Sequence, residues 1–173
     1  MQNIPIRKSD RIYKVKLDDD YTYLGRFGSL MMYAYIVDGE ILVRLLEPTD
    51  KKLSTCVGVI DLFEDFEGVY GVGMVRIASP YQGFDLAPKM YRMVMKKLSI
   101  SISTMNAQSL GGQSIWSRIF RRKDIQMLAY RRGKHRPRKL YPVYFDEDNN
   151  RVECHEKSIW RGDNEWELVA SVV

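Results

Sequence analysis

The chain has 173 residues, 45% of them apolar, and 27 Lys and Arg against 22 Asp and Glu, a net charge of +5. That is an ordinary globular composition, and at this length one core buries about 70% of the surface that the unfolded chain exposes. No apolar run approaches the roughly 18–20 residues of a membrane span, and the opening MQNIPIRKSDR lacks the apolar stretch of a secretory signal, so a cytoplasmic chain without membrane partners is expected.

Two cysteines, Cys56 and Cys154, cannot make a framework of bridges, and with His135 and His155 they show no metal-ligand spacing, so no metal is expected. Cys154 and His155 adjoin in a stretch that reads as a strand, where neighbours point to opposite faces. The charge is concentrated. Residues 118–139 carry ten basic side chains against Asp124 alone, a net of +9, which leaves −4 for the rest of the chain. Such a band suits a phosphate-bearing ligand, a nucleic acid or the acidic surface of another protein, or is simply a solvated loop and helix face.

In chain order, residues 11–17 (RIYKVKL) alternate polar and apolar side chains as a strand does. Residues 30–37 (LMMYAYIV) and 40–46 (EILVRLL) flank Asp38-Gly39, a two-residue hairpin signal. A second hairpin joins 56–63 (CVGVIDLF) to 69–77 (VYGVGMVRI) through an acidic turn at 64–68. Gly71 and Gly73 inside its second strand point to a bulge or a close backbone approach. The period then becomes helical over 86–98, with Leu86, Met90, Met93, Val94 and Leu98 on one face and Lys89, Arg92, Lys96 and Lys97 on the other. Residues 99–103 read as a short buried strand. Residues 108–122 read as a second helix with Ile115, Trp116, Ile119 and Phe120 as its stripe, and 125–130 as the next strand. A basic, proline-interrupted loop at 131–138 then precedes a hairpin of 140–146 with 151–155 and a closing strand at 166–172. The sum is an α/β or α+β protein: a mixed, mostly antiparallel sheet with at least two helices on it in a domain over 1–139, and a C-terminal β extension, 140–173, of the same domain.

The junction between the second hairpin and the first helix, Val75 to Ala87, is a strand, a proline-containing turn and a helix start. It resembles the GNAT family of acyl-CoA N-acetyltransferases, in which a Val/Ile-rich strand runs into a loop of pattern Gln/Arg-x-x-Gly-x-Gly/Ala; Gln82 and Ala87 match that pattern. Further on, Gln108-Ser109-Leu110-Gly111-Gly112 leading to Trp116 is similar to a signature of acetyltransferase-like proteins from bacteriophage genomes. The likeness spans roughly 56–130, under half the chain. It implies a mixed sheet of the GNAT kind and a site for acetyl-CoA. In that site unpaired N–H groups at a helix start would cradle the pyrophosphate, with Ile77, Ala78, Gln82, Gly83, Phe84, Asp85, Leu86 and Ala87 as the contact residues and Asn106 and Ser109 beside them. It also implies an oxyanion donor among the backbone N–H groups of residues 75–78 and a carboxylate base and tyrosine acid, for which Asp61, Glu64 and Tyr130 are the candidates.

One position departs from the pattern. Asp85 stands where the family has its central glycine, and a carboxylate there repels a pyrophosphate. Asp is a favoured N-cap and Pro88 has no N–H, so the helix start is expected to be self-capped, with Lys89 and the Arg121, Arg122, Lys123 cluster available to offset the charge. Ser109 reads equally as a cap of the second helix. There is no Gly-x-Ser-x-Gly and no phosphate loop of Walker type.

Two functions follow from the resemblance. One is a phage-encoded acetyltransferase that moves an acetyl group from acetyl-CoA to an amine of a protein or small molecule. The other is an inactive scaffold of the same fold, virion-associated or bound to a host protein through Arg121, Arg122, Lys123, Arg131, Arg132, Lys134 and Arg136. Nucleic acid on the same band is a third use, with Tyr130 and Tyr141 flanking the basic run.

Overall fold

Asp38 and Gly39 both take positive φ, 40° and 80°, as a two-residue turn with the strands' own twist requires. The computed structural model, which describes residues 13–50, 53–104, 109–120, 122–131, 140–142, 144–145, 151–152 and 166–173, builds outward from the hairpin that this turn closes. Its arms are β3 (Leu30–Val37) and β4 (Glu40–Asp50). β4 pairs with the long β5 (Leu53–Phe66), and β5 with β6 (Val69–Ile77). Before them come β1 (Tyr13–Val15), paired with β5, and β2 (Tyr21–Phe27), paired with β3. After β6 come α1 (Leu86–Leu98), β7 (Ser101–Ser103), α2 (Leu110–Phe120), β8 (Ile125–Arg131), β9 (Leu140–Pro142) and the closing β12 (Trp166–Val172).

These strands form one ten-stranded sheet, in the order β2-β3-β4-β5-β6-β7-β12-β8-β9 with β1 attached to β5, and β10 (Tyr144–Phe145) and β11 (Arg151–Val152) make a separate two-stranded ladder. Every pairing is antiparallel except β6 with β7. The protein is therefore α+β, with a mostly antiparallel sheet and two described helices. The C-terminal stretch divides its roles: β12 lies inside the main sheet between β7 and β8, β9 borders β8, and β10 and β11 pair only with each other. No described helix is long and apolar enough to cross a membrane.

Both helices cover one face of the sheet. Leu86, Met90, Tyr91, Val94 and Met95 of α1 and Trp116 and Ile119 of α2 close over Val43, Leu45, Ile60, Leu62, Ile102, Met127, Leu168 and Ala170. On the other face Val15, Leu46, Cys56 and Val59 form a second cluster, with Leu17, Tyr33 and Met74 against it. The buried arc of α1 is wider than the expected stripe. Tyr91 and Met95 are buried because α1 meets α2 as well as the sheet, and the Tyr91 and Trp116 rings lie 5.9 Å apart. Met93 is only half-buried and reaches the edge strand, where a Cβ on Gly25 would stand 2.7 Å from its sulfur.

Several boundaries differ from expectation. β4 runs on to Asp50 instead of ending at 46, β5 starts at Leu53 instead of 56, and in place of one hairpin of 140–146 with 151–155, β9 pairs with β8 and β10 with β11. β2 is an additional strand: only its Leu24 is buried, so it shows no apolar alternation. β5 runs on to Phe66 and leaves a two-residue turn at Glu67 and Gly68. β7 begins at Ser101 because Ser99 ends α1 in the left-handed region, φ 54°. α2 begins at Leu110, where Ser109 caps it, and ends at Phe120. Cys154 and His155 lie outside the described residues, and Cys56 is buried with its thiol donating to the Gly58 carbonyl at 3.5 Å.

Burial pushes the Tyr91 phenol well above its usual range. The fold then keeps a proton that the unfolded chain releases near pH 10, so this contribution is complete below that pH and is lost as the pH rises above it, at about 1.4 kcal/mol per pH unit. Urea midpoints measured between pH 9 and pH 11 should fall less steeply for Tyr91→Phe than for the parent; equal slopes would refute the assignment.

Candidate functional site

β6 and β7 share three rungs, Val69 with Ser101, Tyr70 with Ile102 and Gly71 with Ser103, and then part. Two local features separate them. Past β7, Thr104 turns to β12: its N–H donates to the Leu168 carbonyl (2.9 Å), and its hydroxyl accepts from the Leu168 N–H (3.0 Å). In β6, Val72 opposes Leu62 and Met74 opposes Asp61, which leaves Gly73 as the extra residue of a bulge. Phe63 lies against that glycine so closely that a Cβ would stand 2.2 Å from its ring. The remainder of β6 keeps β5 on one side and has no described strand beside it on the other, which leaves a wedge between β6 and β7 among the described residues.

Strand alternation says which backbone groups look into the wedge. Ala78 donates to the Val57 carbonyl at 2.9 Å, toward β5. The N–H groups of Arg76 and Met74 point the same way, and those of Val75 and Ile77 point into the wedge. Of the expected oxyanion donors at 75–78, Ala78 is thus committed to β5 and Val75 is the best placed. The Ile77 carbonyl on the wedge side accepts from the Gln82 amide at 2.9 Å, which ties the loop to the strand end.

The loop then turns into α1. After the short turn Ser79–Tyr81, Gly83 (φ 88°) and Asp85 (φ 58°) both take left-handed backbone. The Tyr81 hydroxyl donates to Glu47 at 2.7 Å, and this bond raises the phenol pKa. Lys89 donates to the Phe84 carbonyl at 3.0 Å, and the Phe84 ring is 64% exposed. The N–H groups of Gly83, Phe84, Asp85, Leu86 and Ala87 find no acceptor among the described residues. These successive N–H groups at a helix start, below the C-terminal end of a parallel strand, are a common setting for an anion.

Asp85 corrects the expectation of a self-capped helix. Its side chain makes no capping bond. Its carboxylate accepts from Arg118, in the last turn of α2, at 3.2 Å and lies 4.0 Å from Arg122, just past the end of that helix. Arg122 is shared with Asp124 at 3.8 Å, and Asp124 is also bonded by Arg92, the main reason its carboxyl lies below the usual range. Around the loop, Lys89, Arg92, Arg118 and Arg122 outnumber the Asp85, Asp124 and Glu47 carboxylates by one, so the helix mouth is cationic despite the aspartate. The basic residues at the end of the second helix were readable in the sequence; that Arg118 and Arg122 meet Asp85 was not.

The three catalytic candidates do not meet. Asp61, opposite Met74, is buried and accepts from Arg44 at 2.7 Å. Glu64 is exposed opposite Tyr70, about 17 Å along β6 from Val75 at strand rise. Tyr130 stands on β8 opposite Glu167 and is separated from β6 by β7 and β12. Ser109 accepts from the Gly112 N–H at 3.2 Å as the cap of α2. Of the basic band, Arg122 joins Asp85, Lys123 is exposed on the following turn, and Arg131 ends β8 opposite Trp166. Asn106, Arg121, Arg132, Lys134 and Arg136 lie outside the described residues. No protein-family model matches the sequence, and no curated protein matches it.

Two substitutions test this geometry. Gly73→Ala should cost about 1–3 kcal/mol by overpacking, and Phe63→Leu in the same chain should recover most of it; an unchanged melting temperature for the single variant would remove the bulge contact. At Asp85 the left-handed backbone costs alanine about 1 kcal/mol that glycine does not pay. Asp85→Ala should therefore melt below Asp85→Gly, and equal melting temperatures for the two would refute the left-handed backbone at this position.

Proposed function

We propose that this chain is an acyl-CoA-dependent N-acetyltransferase of the GNAT type, with the phosphate groups of its cosubstrate at the start of α1 and the reacting acetyl group in the wedge between β6 and β7. The observation that carries the proposal is the continuity of these two features. The strand whose free N–H groups face the wedge runs through a pinned loop directly into five unpaired N–H groups under a cationic surplus. Acetyl-CoA supplies an acetyl group activated as a thioester. The Val75 N–H is placed to bind the carbonyl oxygen as the amine attacks, a C–N bond forms and the C–S bond breaks. The amine proton leaves to water, and the departing thiolate takes a proton from water.

Asp85 has a different role here from the one its charge first indicates. By holding Arg118 and Arg122 over the helix mouth it recruits two guanidinium groups that an incoming phosphate can share. Asp61 is already tied to Arg44 and serves as a structural partner of β4 instead of a base. That pairing is the one observation in favour of the second possibility, a scaffold of this fold that binds without turnover and meets a virion or host partner through its basic band.

Isothermal titration with acetyl-CoA should give micromolar affinity, weakened about tenfold or more in Arg118→Gln/Arg122→Gln and at high salt. Asp85→Gly should bind at least as well as the parent. No binding by the parent protein at millimolar acetyl-CoA would reject the site. Binding without acetylation of any amine in a panel of lysine peptides and small amines would select the scaffold.

A further inference from the structure

On the face of the sheet away from the helices, β2 and β3 carry four tyrosines that the wedge does not use. Tyr21 pairs with Tyr35 and Tyr23 with Tyr33, with ring centroids 5.6 and 5.4 Å apart. Tyr23 is 53% exposed, and the other three are half-buried. β2 is also the end strand of the sheet among the described residues, so the row lies at its border. Aromatic rows of this kind stack nucleobases or cationic side chains, and the surrounding charge decides between them.

Residues 18–40 hold five acidic side chains and one basic one, Arg26. Asp18, Asp19 and Asp20 are exposed on the turn that leads into Tyr21, and Asp38 is exposed on the turn beyond Tyr35. Burial raises the Tyr21 phenol, the Arg44 cation lowers it and the Asp18 carboxylate adds to the rise; the Arg44 charge is offset by Asp61 at 2.7 Å, and the Asp18 charge is not so paired among the described residues. A phosphate backbone is repelled here. A Lys- or Arg-rich polypeptide gains both carboxylate contacts and cation–π contacts of about 0.5–1 kcal/mol each at such exposure.

The chain itself contains that chemistry in residues 131–139, RRGKHRPRK, six of whose nine residues are Lys or Arg. The segment begins at the end of β8, seven inter-strand steps from β2, about 34 Å along the sheet at about 4.8 Å per step. It is tied again at β9 after eight residues, so it reaches out only about 14 Å even when fully extended. A second copy is not bound by that tether.

We infer that the tyrosine face formed by Tyr21, Tyr23, Tyr33 and Tyr35, with its border of aspartates, docks the basic segment 131–139 of a second copy of this chain. A two-fold dimer makes the contact twice, each copy lending its band to the other's face. The inference does not depend on the proposed activity, since neither surface includes the wedge.

Sedimentation velocity on the full chain tests it. The expected result is a dimer at low ionic strength whose dissociation constant rises about tenfold or more at high salt, and by a similar factor in Tyr23→Ser. A charge swap gives the decisive comparison. Asp18→Lys/Asp19→Lys/Asp20→Lys and Arg131→Glu/Arg132→Glu/Arg136→Glu should each be monomeric alone and associate when mixed, with melting temperatures showing that both are folded. A parent protein that stays monomeric at low salt overturns the inference. So does a dimer indifferent to Tyr23→Ser and to the swap, or a pair of variants that stays apart on mixing. If either variant fails to fold, a synthetic peptide of residues 131–139 titrated onto the parent protein replaces the swap, and tyrosine fluorescence unchanged by the peptide then counts against the docking.

Discussion

Everything at the candidate site depends on how briefly β6 and β7 stay together. A parallel pair cannot be closed by a tight turn and needs a crossover; here α1 is that crossover, and its start is consequently delivered to the end of β6. Had the two strands continued side by side, their edge groups would have satisfied one another and left a closed sheet. Instead, Thr104 hands the chain over to Leu168, and the extra residue at Gly73 bends β6. The unpaired backbone that results is tolerable only where water or a ligand can reach it.

The closing strand completes this arrangement from far along the sequence. By entering between β7 and β8, β12 gives β7 its second neighbour and provides the groups that draw Thr104 away from β6. The site is thus held open by a segment more than sixty residues later in the chain. Asp85 shows a similar competition at shorter range. A carboxylate at a helix start can accept its own helix's N–H groups or pair with cations nearby. With the backbone left-handed at Asp85, Arg118 on the facing helix and Arg122 just past its end, the pairing prevails. Such an exposed pair is weak in energy; its effect is to orient the guanidinium groups and to leave the N–H groups unclaimed.

Elements whose side chains sort cleanly between core and solvent could be read from the sequence to the residue. β3, β6, α1 and β12 have the expected ends, and the Asp38-Gly39 turn lies where its residue types require it. β2 was not visible because it is a border strand with one buried residue, held by backbone pairing and by tyrosines that carry no alternation signal. In α1 the register was right and the width of the buried arc was not, because Tyr91 is covered by a second helix whose position no periodicity in α1 reveals. The loop residues Ile77, Ala78, Gln82, Gly83, Phe84, Asp85, Leu86 and Ala87 lie together because they are consecutive, and so the sequence could group them. Asp61, Glu64 and Tyr130 come from three places in the chain, and nothing local could test whether they meet.

What the sequence determined by itself is therefore local: the α+β class, the hairpins, the amphipathic helix, the β–α junction with its departure at Asp85, and the concentration of positive charge between 118 and 139. Periodicity and turn chemistry act over a few residues and are written in them. The tertiary structure alone decided the wedge, the commitment of Asp61 to Arg44, the partners of the Asp85 carboxylate and the meeting of four tyrosines on one face of β2 and β3. Each of these depends on which strands become neighbours, and that is settled by burial of the whole sheet against both helices, a property of the assembled chain that no short stretch of it records.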